Sequence, residues 1–458
     1  MPSPSTFFIQ NFGCRATQAD GAGLAADLAS RGMAEAAERV QAELVVVNTC
    51  TVTSQADQDA RQTIRRVHRE NPAAEILVTG CYAQRRPQDL AGLPGVKWVI
   101  GNSHKPLIGE VLRPQATGSP LVGIGGQADS QPLFAYHGEV AAGGVLVGNI
   151  FDQRSFLSAP VVEAGQDRTR PNLKIQDGCN NRCTFCVIPS VRGNSRSAGA
   201  VSVIAQVRQL AATHKEVVLT GINLGRWGRD LEGRPRIAWL LRRILDETDI
   251  ARLRLSSVEP MDWTSELLDL VASSDRLAKH MHIPLQSGCD RTLKAMHRRY
   301  RARHYEERLR LARALMPHAA IGADVMAGFP GETGEDFEES RRFIAAMPFT
   351  YLHVFTYSAR PGTPAAEFGD QIEERVRKER NSVLRELAAE KNLEFRRSLV
   401  GQVFDAVTLE RADALGRAAL TGNYVPVIVE GQGMRPGELV RVKITEASPD
   451  LTLARIAS

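Results

Sequence analysis

The stretch DGCNNRCTFC, residues 177–186, carries three of the seven cysteines of the chain. Cys179, Cys183 and Cys186 are separated by three and then by two residues, and they follow the strand-like segment NLKIQD. A closed structural zinc site uses four protein ligands, whereas three ligands leave one position of a metal open. Three cysteines at this spacing therefore indicate a metal site that is open to a further ligand.

Two kinds of metal site are compatible with this spacing. Zinc would need a fourth ligand, and the next candidate, His214, lies on or beyond the following helix-like segment. Cysteine thiolates are also the ligands of iron–sulfur clusters, in which three cysteines would hold three irons of a four-iron cluster and leave the fourth iron open. We favour the cluster, with a zinc knuckle or a packed cysteine turn as the alternative.

The composition is that of a globular protein with more than one domain. The 458 residues are enough for two or three domains, and the 43% apolar content is ordinary. The net charge of +5 permits an RNA partner without requiring one. The N-terminus lacks the pattern of a signal peptide, and no apolar run approaches the ~18 residues of a membrane span. We therefore expect no membrane association and a cytoplasmic protein whose thiols stay reduced.

Residues 1–112 are expected to form a doubly wound α/β domain. Apolar strand-like runs alternate here with helix-like segments, and continuous apolar strands are typical of a parallel sheet that is covered on both faces. Each of Cys14, Cys50 and Cys81 closes one such strand. The carboxyl ends of parallel strands meet at one edge of a sheet, so these cysteines can come together there. Taken alone, they would more often be buried core residues.

The rest of the chain divides into three parts. Residues 169–396 show six strand–helix repeats, which predict a partial or complete (β/α) barrel with its functional residues at the carboxyl ends of the strands. Residues 113–168 are rich in Gly, Pro and Ser and are interpreted as a linker or insertion. Residues 397–458 alternate apolar and polar side chains, which predicts a small antiparallel β-barrel. Such barrels often bind RNA, and a structural cap is the alternative.

The pattern C-x3-C-x2-C after the first barrel strand resembles the signature of radical S-adenosylmethionine enzymes. In that family the cysteines hold a [4Fe-4S] cluster whose open iron binds S-adenosyl-L-methionine, and an electron cleaves this cofactor to methionine and a 5′-deoxyadenosyl radical. The resemblance implies that Phe185 lies against the adenine and that Thr220 and Gly221 meet the cofactor's amino group. Glu259 and Gln286 end the next two strands and would face the same pocket. The alternative for both is a satisfied polar residue at a strand end.

Five further motifs resemble the methylthiotransferase family of radical S-adenosylmethionine enzymes. They are FGC (12–14), NTCTVT (48–53), TGCYAQR (79–85), GADVMAGFPGET (322–333) and YSARPGTPAA (357–366). Together with the barrel cysteines they extend the resemblance over nearly the whole chain. It implies that Cys14, Cys50 and Cys81 hold a second [4Fe-4S] cluster with an open iron, and that residues 397–458 are the RNA-binding module of the family, the TRAM domain.

The family resemblance implies a reaction and a substrate. One S-adenosylmethionine methylates sulfur at the second cluster, and another supplies the radical that removes a hydrogen from the target carbon. NTCTVT and HVFTYSARPGTPAA resemble the branch that adds a methylthio group to C2 of N6-threonylcarbamoyladenosine at position 37 of tRNA, in the anticodon loop. N6-isopentenyladenosine 37 of tRNA and a ribosomal-protein aspartate are alternative substrates, and a non-catalytic iron–sulfur RNA-binding protein is the alternative of another class. A reducing donor such as flavodoxin or ferredoxin and a monomeric enzyme are expected.

A few positions depart from the family pattern or stand outside it. Thr17 occupies a position where family members usually carry Asn, which would change the hydrogen bonds to the second cluster. Ala198 stands where relatives often carry Arg. Cys289 has no partner motif and is interpreted as a turn residue rather than a ligand. The basic groups 64–69 and 297–304 could contact phosphates, or they could be solvated helix faces.

Overall fold

The structure is a computed structural model that describes residues 4–112, 144–153, 156 and 169–457. Most of the predicted linker, 113–168, lies outside the described residues. Within the described ranges, none of the helices has the length and apolar content needed to cross a bilayer.

The N-terminal domain is built on one parallel sheet with the strand order β2-β1-β3-β4-β5-β6. Its strands are β1 (Thr6–Asn11), β2 (Ala34–Glu35), β3 (Leu44–Thr49), β4 (Glu75–Gly80), β5 (Val96–Gly101) and β6 (Val145–Leu146). Its helices are α1 (Arg15–Ser30), α2 (Ser54–Glu70), α3 (Cys81–Arg85), α4 (Pro87–Ala91) and α5 (Ile108–Val111). The edge strand β6 comes from the segment that was interpreted as a linker.

The sheet is covered on both faces because its central strands are apolar on both sides. Val45 and Val47 of β3 pack with Ile64 of α2 in one core, whereas Val46 packs with Leu24 of α1 in the other. This arrangement is the doubly wound domain that the continuous apolar runs predict.

The central domain is a partial barrel of six parallel strands with one short antiparallel strand at its edge. The strands are β7 (Asn172–Asp177), β8 (Arg196–Ser197), β9 (Glu216–Gly221), β10 (Arg252–Leu255), β11 (His280–His282), β12 (Ala320–Ala327) and β13 (Tyr351–Thr356). The helices are α6 (Ile188–Arg192), α7 (Ala200–Ala211), α8 (Ile237–Glu247), α9 (Ser265–Ser273), α10 (Asp290–Ala295), α11 (Ala302–Leu315), α12 (Gly334–Ala346) and the long α13 (Glu374–Ser398).

Two ladders make up the wall of the barrel. One has the order β10-β9-β7-β8 and the other the order β11-β12-β13. Parallel bridges from Leu253 to Leu277 and from Ser257 to His282 join them. The predicted fold class, α/β with a central (β/α) barrel, is confirmed.

The C-terminal domain is a closed five-stranded barrel with the strand order β14-β15-β16-β18-β17. Its strands are β14 (Val403–Ala412), β15 (Gly416–Thr421), β16 (Pro426–Glu430), β17 (Leu439–Ala447) and β18 (Thr452–Ile456). All neighbours are antiparallel except β16 and β18, which run parallel. The prediction of a wholly antiparallel barrel misses this pair. An odd number of strands cannot close a ring with antiparallel neighbours throughout, so one parallel pair is required.

The C-terminal barrel docks on the central domain through a buried arginine. Arg254 of β10 donates from Nη2 to the carbonyl oxygen of Thr421 at 3.1 Å. The same guanidinium donates to both carboxylate oxygens of Glu216, at 2.7 and 3.1 Å. Arg170 and Arg252 also bond to Glu216, whose side chain is fully buried. One carboxylate therefore compensates three buried cations at this junction.

The change Glu216→Gln is expected to lower the free energy of unfolding by about 3–5 kcal/mol, because it leaves buried guanidinium groups without a counter-charge. Urea denaturation followed by circular dichroism measures this. The matched control is Glu247→Gln, which removes a partly exposed pair with Arg243 and should change the free energy by less than about 1 kcal/mol. Equal effects of the two substitutions would contradict the account.

Candidate functional site

The three clustered cysteines lie on one wall of a cavity at the carboxyl end of the barrel strands. Cys179, Cys183 and Cys186 line this cavity, whose volume is about 200 Å³. The loop can turn directly after β7 because Gly178 has a φ of +69°, and a Cβ atom at this position would lie 1.9 Å from the carbonyl oxygen of Asn194. The backbone N–H of Cys179 donates to Gly193 at 3.0 Å and pins the start of the loop.

Several donors point at the sulfur atoms of this trio. The backbone N–H of Asn181 lies 3.4 Å from Cys179 Sγ, and Arg298 Nη1 lies 3.2 Å from Cys183 Sγ. Burial, and then the charge of Cys183, raise the pKa of the Cys186 thiol to about 12. Three adjacent thiolates in this setting need a cation to be stable, so the donor set fits an iron–sulfur cluster.

The opposite wall of the cavity carries polar groups from later strands. Gln286 has a φ of +68°, and its backbone is held by hydrogen bonds with Asp324 at 2.8 Å and Met326 at 2.9 Å. Its Oε1 atom is buried and has no hydrogen-bond partner within the described part of the chain. Glu259 also lines the cavity and is ion-paired with Arg298. Burial raises the pKa of Glu259, and Arg298 opposes that rise.

These features fit a polar ligand such as S-adenosylmethionine. An unpartnered, buried amide oxygen in a cavity that a partly buried carboxylate also lines is costly unless a ligand supplies donors. Arg298 holds both walls together, since it bonds to Cys183 on one side and to Glu259 on the other. The sequence interpretation placed Arg298 in a basic group, 297–304, that could be solvated or contact phosphates. In the structure its side chain is buried instead.

The other predicted cofactor residues take different positions. Phe185 lines the cavity and packs edge-on against Phe329, with ring centroids 6.4 Å apart. Thr220 is buried at the end of β9, and Gly221 lies against Gln176, which a Cβ atom would approach to 2.9 Å. The next residues along this loop, Ile222 and Asn223, reach the cavity wall. The cofactor contacts of all five predicted residues stay predictions.

The second trio of cysteines comes from three loops at the carboxyl edge of the N-terminal sheet. Cys14 caps α1, Cys50 follows β3, and Cys81 begins α3 directly after β4. A Cβ atom on Gly13 would lie 2.7 Å from that of Cys50, so glycine allows the first two loops to touch. Burial, and then the charge of Cys81, raise the pKa of the Cys50 thiol to about 12. This donor set also fits a metal cluster.

An arginine that the sequence interpretation missed connects the two trios. Arg192 Nε lies 3.3 Å from Cys81 Sγ, and its Nη1 donates to Asp177 at 3.0 Å. Its Nη2 donates to Asp20 at 3.0 Å. Asp177 stands two residues before Cys179. One guanidinium therefore links a cysteine of the N-terminal sheet with the cysteine loop of the barrel.

The surroundings of Arg192 are charged and buried. Lys174 bonds to both Asp20 and Asp177. Burial opposes ionisation of Asp177, but Lys174 and then Arg192 outweigh it and lower its pKa. Thr17, the residue at the unusual position, accepts from Arg192 at 3.3 Å and lies 3.5 Å from Cys14 Sγ.

Cys289 lies apart from both trios. It caps the short helix α10, as the predicted turn position requires, and its side chain is buried. The Sγ atom donates to Asp336 at 3.3 Å.

Similarity to known proteins agrees with this geometry. The family model described as "Uncharacterized protein family UPF0004" matches residues 6–101, and the model of the Radical SAM superfamily matches residues 173–344. A solved structure of the radical S-adenosylmethionine methyltransferase TsrM from Kitasatospora setae has a TM-score of 0.57 over 79% of this chain and 76% of that chain, at 17% identity. The fold and the cysteine loop thus define a radical S-adenosylmethionine enzyme, a class that uses a [4Fe-4S] cluster and S-adenosylmethionine.

Relatives with higher identity define the family more narrowly. The threonylcarbamoyladenosine tRNA methylthiotransferase MtaB of Bacillus subtilis (strain 168) is 37% identical over 89% of this chain and 86% of its own length. The protein of the same name from Aquifex aeolicus (strain VF5) is 37% identical over 95% and 99%. The tRNA-2-methylthio-N(6)-dimethylallyladenosine synthase of Carboxydothermus hydrogenoformans is 31% identical over 96% and 97%. The chain belongs to the methylthiotransferase family of radical S-adenosylmethionine enzymes, as its motifs predict.

The raised thiol pKa values lead to a prediction for the iron-free protein. At pH 8, Cys50 and Cys186 should react with iodoacetamide roughly 1,000-fold more slowly than an ordinary cysteine with a pKa near 8.5, because only thiolates react. The rates should rise about tenfold per pH unit up to pH 10. Peptide mass spectrometry of reduced, iron-chelated protein measures them, with exposed Cys14 as the internal comparison. Equal rates at Cys14, Cys50 and Cys186 at pH 8 would contradict this description of the site.

Proposed function

We propose that this enzyme adds a methylthio group to C2 of N6-threonylcarbamoyladenosine at position 37 of tRNA. The observation that carries the proposal is the pair of cysteine trios on either side of Arg192, in a chain 37% identical to relatives that bear the name of this activity. The isopentenyladenosine branch is the second candidate, because a relative named for it is 31% identical over nearly the same length.

Each trio has an assigned role in this proposal. Cys179, Cys183 and Cys186 hold the [4Fe-4S] cluster that binds S-adenosylmethionine, with Phe185, Thr220, Gly221, Glu259 and Gln286 as the further cofactor contacts. Cys14, Cys50 and Cys81 hold a second [4Fe-4S] cluster. The first cluster would supply the electron that cleaves S-adenosylmethionine to methionine and a 5′-deoxyadenosyl radical, and the second cluster would present the sulfur.

The protein's own side chains orient the cofactor and tune the cluster ligands. Arg298 donates to Cys183 and is ion-paired with Glu259, which favours the carboxylate form of Glu259 that can accept from a donor on the cofactor. Arg192 and Asn102 donate to Cys81 Sγ at 3.3 and 3.6 Å, and such hydrogen bonds orient and tune a cluster ligand. Phe185, which packs against the buried Phe329, provides an apolar part of the cavity wall.

The partners follow from the same proposal. The C-terminal barrel binds tRNA, supported by exposed basic residues on two neighbouring strands, namely Arg441, Lys443 and Arg455. An anticodon loop is a suitable target because one base of a single-stranded loop can turn out into a pocket. A flavodoxin or ferredoxin supplies the electron. The enzyme acts as a monomer in the cytoplasm, where its seven cysteines, which form no disulfide, stay reduced.

Nucleoside mass analysis of cellular tRNA tests the substrate. Cells without this gene should lack the 2-methylthio form of N6-threonylcarbamoyladenosine, and the intact gene should restore it, whereas a gene carrying Cys186→Ser should not. Loss of the methylthio group from isopentenyladenosine instead would contradict the proposed branch. Unchanged tRNA nucleosides would contradict a tRNA substrate altogether and direct attention to the ribosomal-protein aspartate.

The iron content tests the two trios separately. Reconstituted enzyme should hold about eight irons, and alanine at all three cysteines of either trio should reduce this to about four. The matched control is Cys289→Ala, which should keep the full iron content because Cys289 bonds to Asp336. Colorimetric iron and sulfide analysis measures the content. Full iron content after the loss of Cys14, Cys50 and Cys81 would contradict the second cluster.

A further inference from the structure

A polar pocket adjoins the cofactor cavity on the side of the last barrel strands. Asp324 of β12 lines the cavity and lies opposite His353 of β13 in the strand register. Asp324 Oδ1 is 3.1 Å from His282 Nε2 and 3.3 Å from His353 Nδ1. We call His282, Asp324, Tyr351 and His353 the histidine pocket.

The local sequence explains why Tyr351 belongs to this pocket. A Cβ atom on Gly322 would lie 1.9 Å from the Tyr351 ring, so the glycine lets the ring cross β12. The Tyr351 hydroxyl then reaches His280 Nε2 at 2.7 Å and His282 Nδ1 at 3.1 Å. The hydrogen bonds hold the tyrosine and both imidazoles in fixed orientations.

The other two domains border the pocket. Tyr424, in the loop between β15 and β16, has a φ of +65° and stacks on His280, with ring centroids 4.2 Å apart. The Tyr424 hydroxyl accepts from Arg15 Nη2 at 3.1 Å. Arg15 directly follows Cys14. The pocket therefore extends from the cavity of the first cysteine trio towards the second trio. A substrate that reacts with groups at both trios has to lie in this region.

The polar side chains around the pocket can form further hydrogen bonds and ion pairs. The side chain of His353 is 59% exposed, and that of Asp324 is 24% exposed. Arg15 bonds to the neutral groups of Asn172 and Tyr424, and its charge has no carboxylate partner among residues 4–112, 144–153 and 169–457. An apolar ligand would remove water from these groups without replacing its hydrogen bonds, which is costly. A polar, anionic ligand would supply both acceptors and donors.

We propose that the histidine pocket, together with Arg15, binds the substituent on N6 of the target adenosine, and that this substituent is polar and carries a carboxylate. This inference rests on the proposed function, in which the threonylcarbamoyl group has this chemistry. Arg15 pairs with the carboxylate, and His353 and Asp324 bond to the hydroxyl and amide groups. An isopentenyl group offers none of these contacts.

Binding of two tRNAs to the reconstituted holoenzyme tests the pocket. One tRNA carries threonylcarbamoyladenosine at position 37 and the other an unmodified adenosine, with S-adenosylmethionine present. The wild type should bind the modified tRNA more tightly. His353→Leu and Arg15→Gln should each weaken binding of the modified tRNA by roughly 10- to 100-fold and weaken that of the unmodified tRNA far less. His353→Gln should restore part of the difference.

The matched control is His214→Leu, at the opposite end of the strands, where His214 Nδ1 lies 2.8 Å from the Thr213 hydroxyl. This change should leave both affinities as in the wild type. Equal weakening of both tRNAs by His353→Leu, or no weakening, would overturn the inference. The ligand atoms of His282, Asp324 and His353 also lie within 4.8 Å of one another. If the wild type binds one equivalent of zinc or manganese and His353→Leu abolishes this binding, the inference would be overturned in favour of a metal site.

The same samples separate this inference from the proposed function. If the wild type fails to methylthiolate threonylcarbamoyladenosine in tRNA, the proposed function is wrong. If it does so and His353→Leu and Arg15→Gln keep the preference for the modified tRNA, the proposed function stands and the histidine pocket has another role.

Discussion

A largely buried network of two carboxylates and three cations holds the N-terminal α/β domain against the (β/α) barrel. Its members are Asp20, Lys105, Lys174, Asp177 and Arg192. Ions that lose water need all their partners, and removing one costs several kcal/mol because the others stay charged and buried. The two cysteine trios are attached to this network, through Cys81 at one end and the loop of Cys179 at the other. Their relative position is therefore fixed by electrostatics as well as by packing.

The site combines rigid cysteine loops with a region that is open to solvent. The sulfur atoms are held by short loops at strand ends and by N–H donors, whereas the histidine pocket beside the cavity is polar and partly exposed. The cavity is closed by Phe185 on one side, and the histidine pocket leads away from it towards Arg15 and Tyr424. This combination suits a reaction in which reactive species are confined to a cavity while a large RNA binds at the surface.

The sequence alone predicts the domain order, the parallel sheets and the six cysteines at strand ends, because apolar runs and motif spacing are local signals. Side-chain partners far apart in the chain carry no such signal. Arg192 is an example, because its contacts with Asp20 and Cys81 depend on how two domains pack. Arg298 lies in a basic run that resembles a solvated helix face, but its side chain is buried. The parallel pair in the C-terminal barrel follows from ring closure, which periodicity does not encode.

Hydrogen transfer from the target base tests most directly whether the cofactor cavity and the space between the trios form one active site. The measurement uses tRNA made with C2-deuterated adenosine and then threonylcarbamoylated at position 37, in a single turnover with reduced holoenzyme. Mass spectrometry of the released 5′-deoxyadenosine should show one deuterium, and the tRNA should gain a methylthio group in equal amount. Unlabelled 5′-deoxyadenosine alongside a methylthiolated base would contradict the account, because the radical would then act elsewhere than at the target carbon.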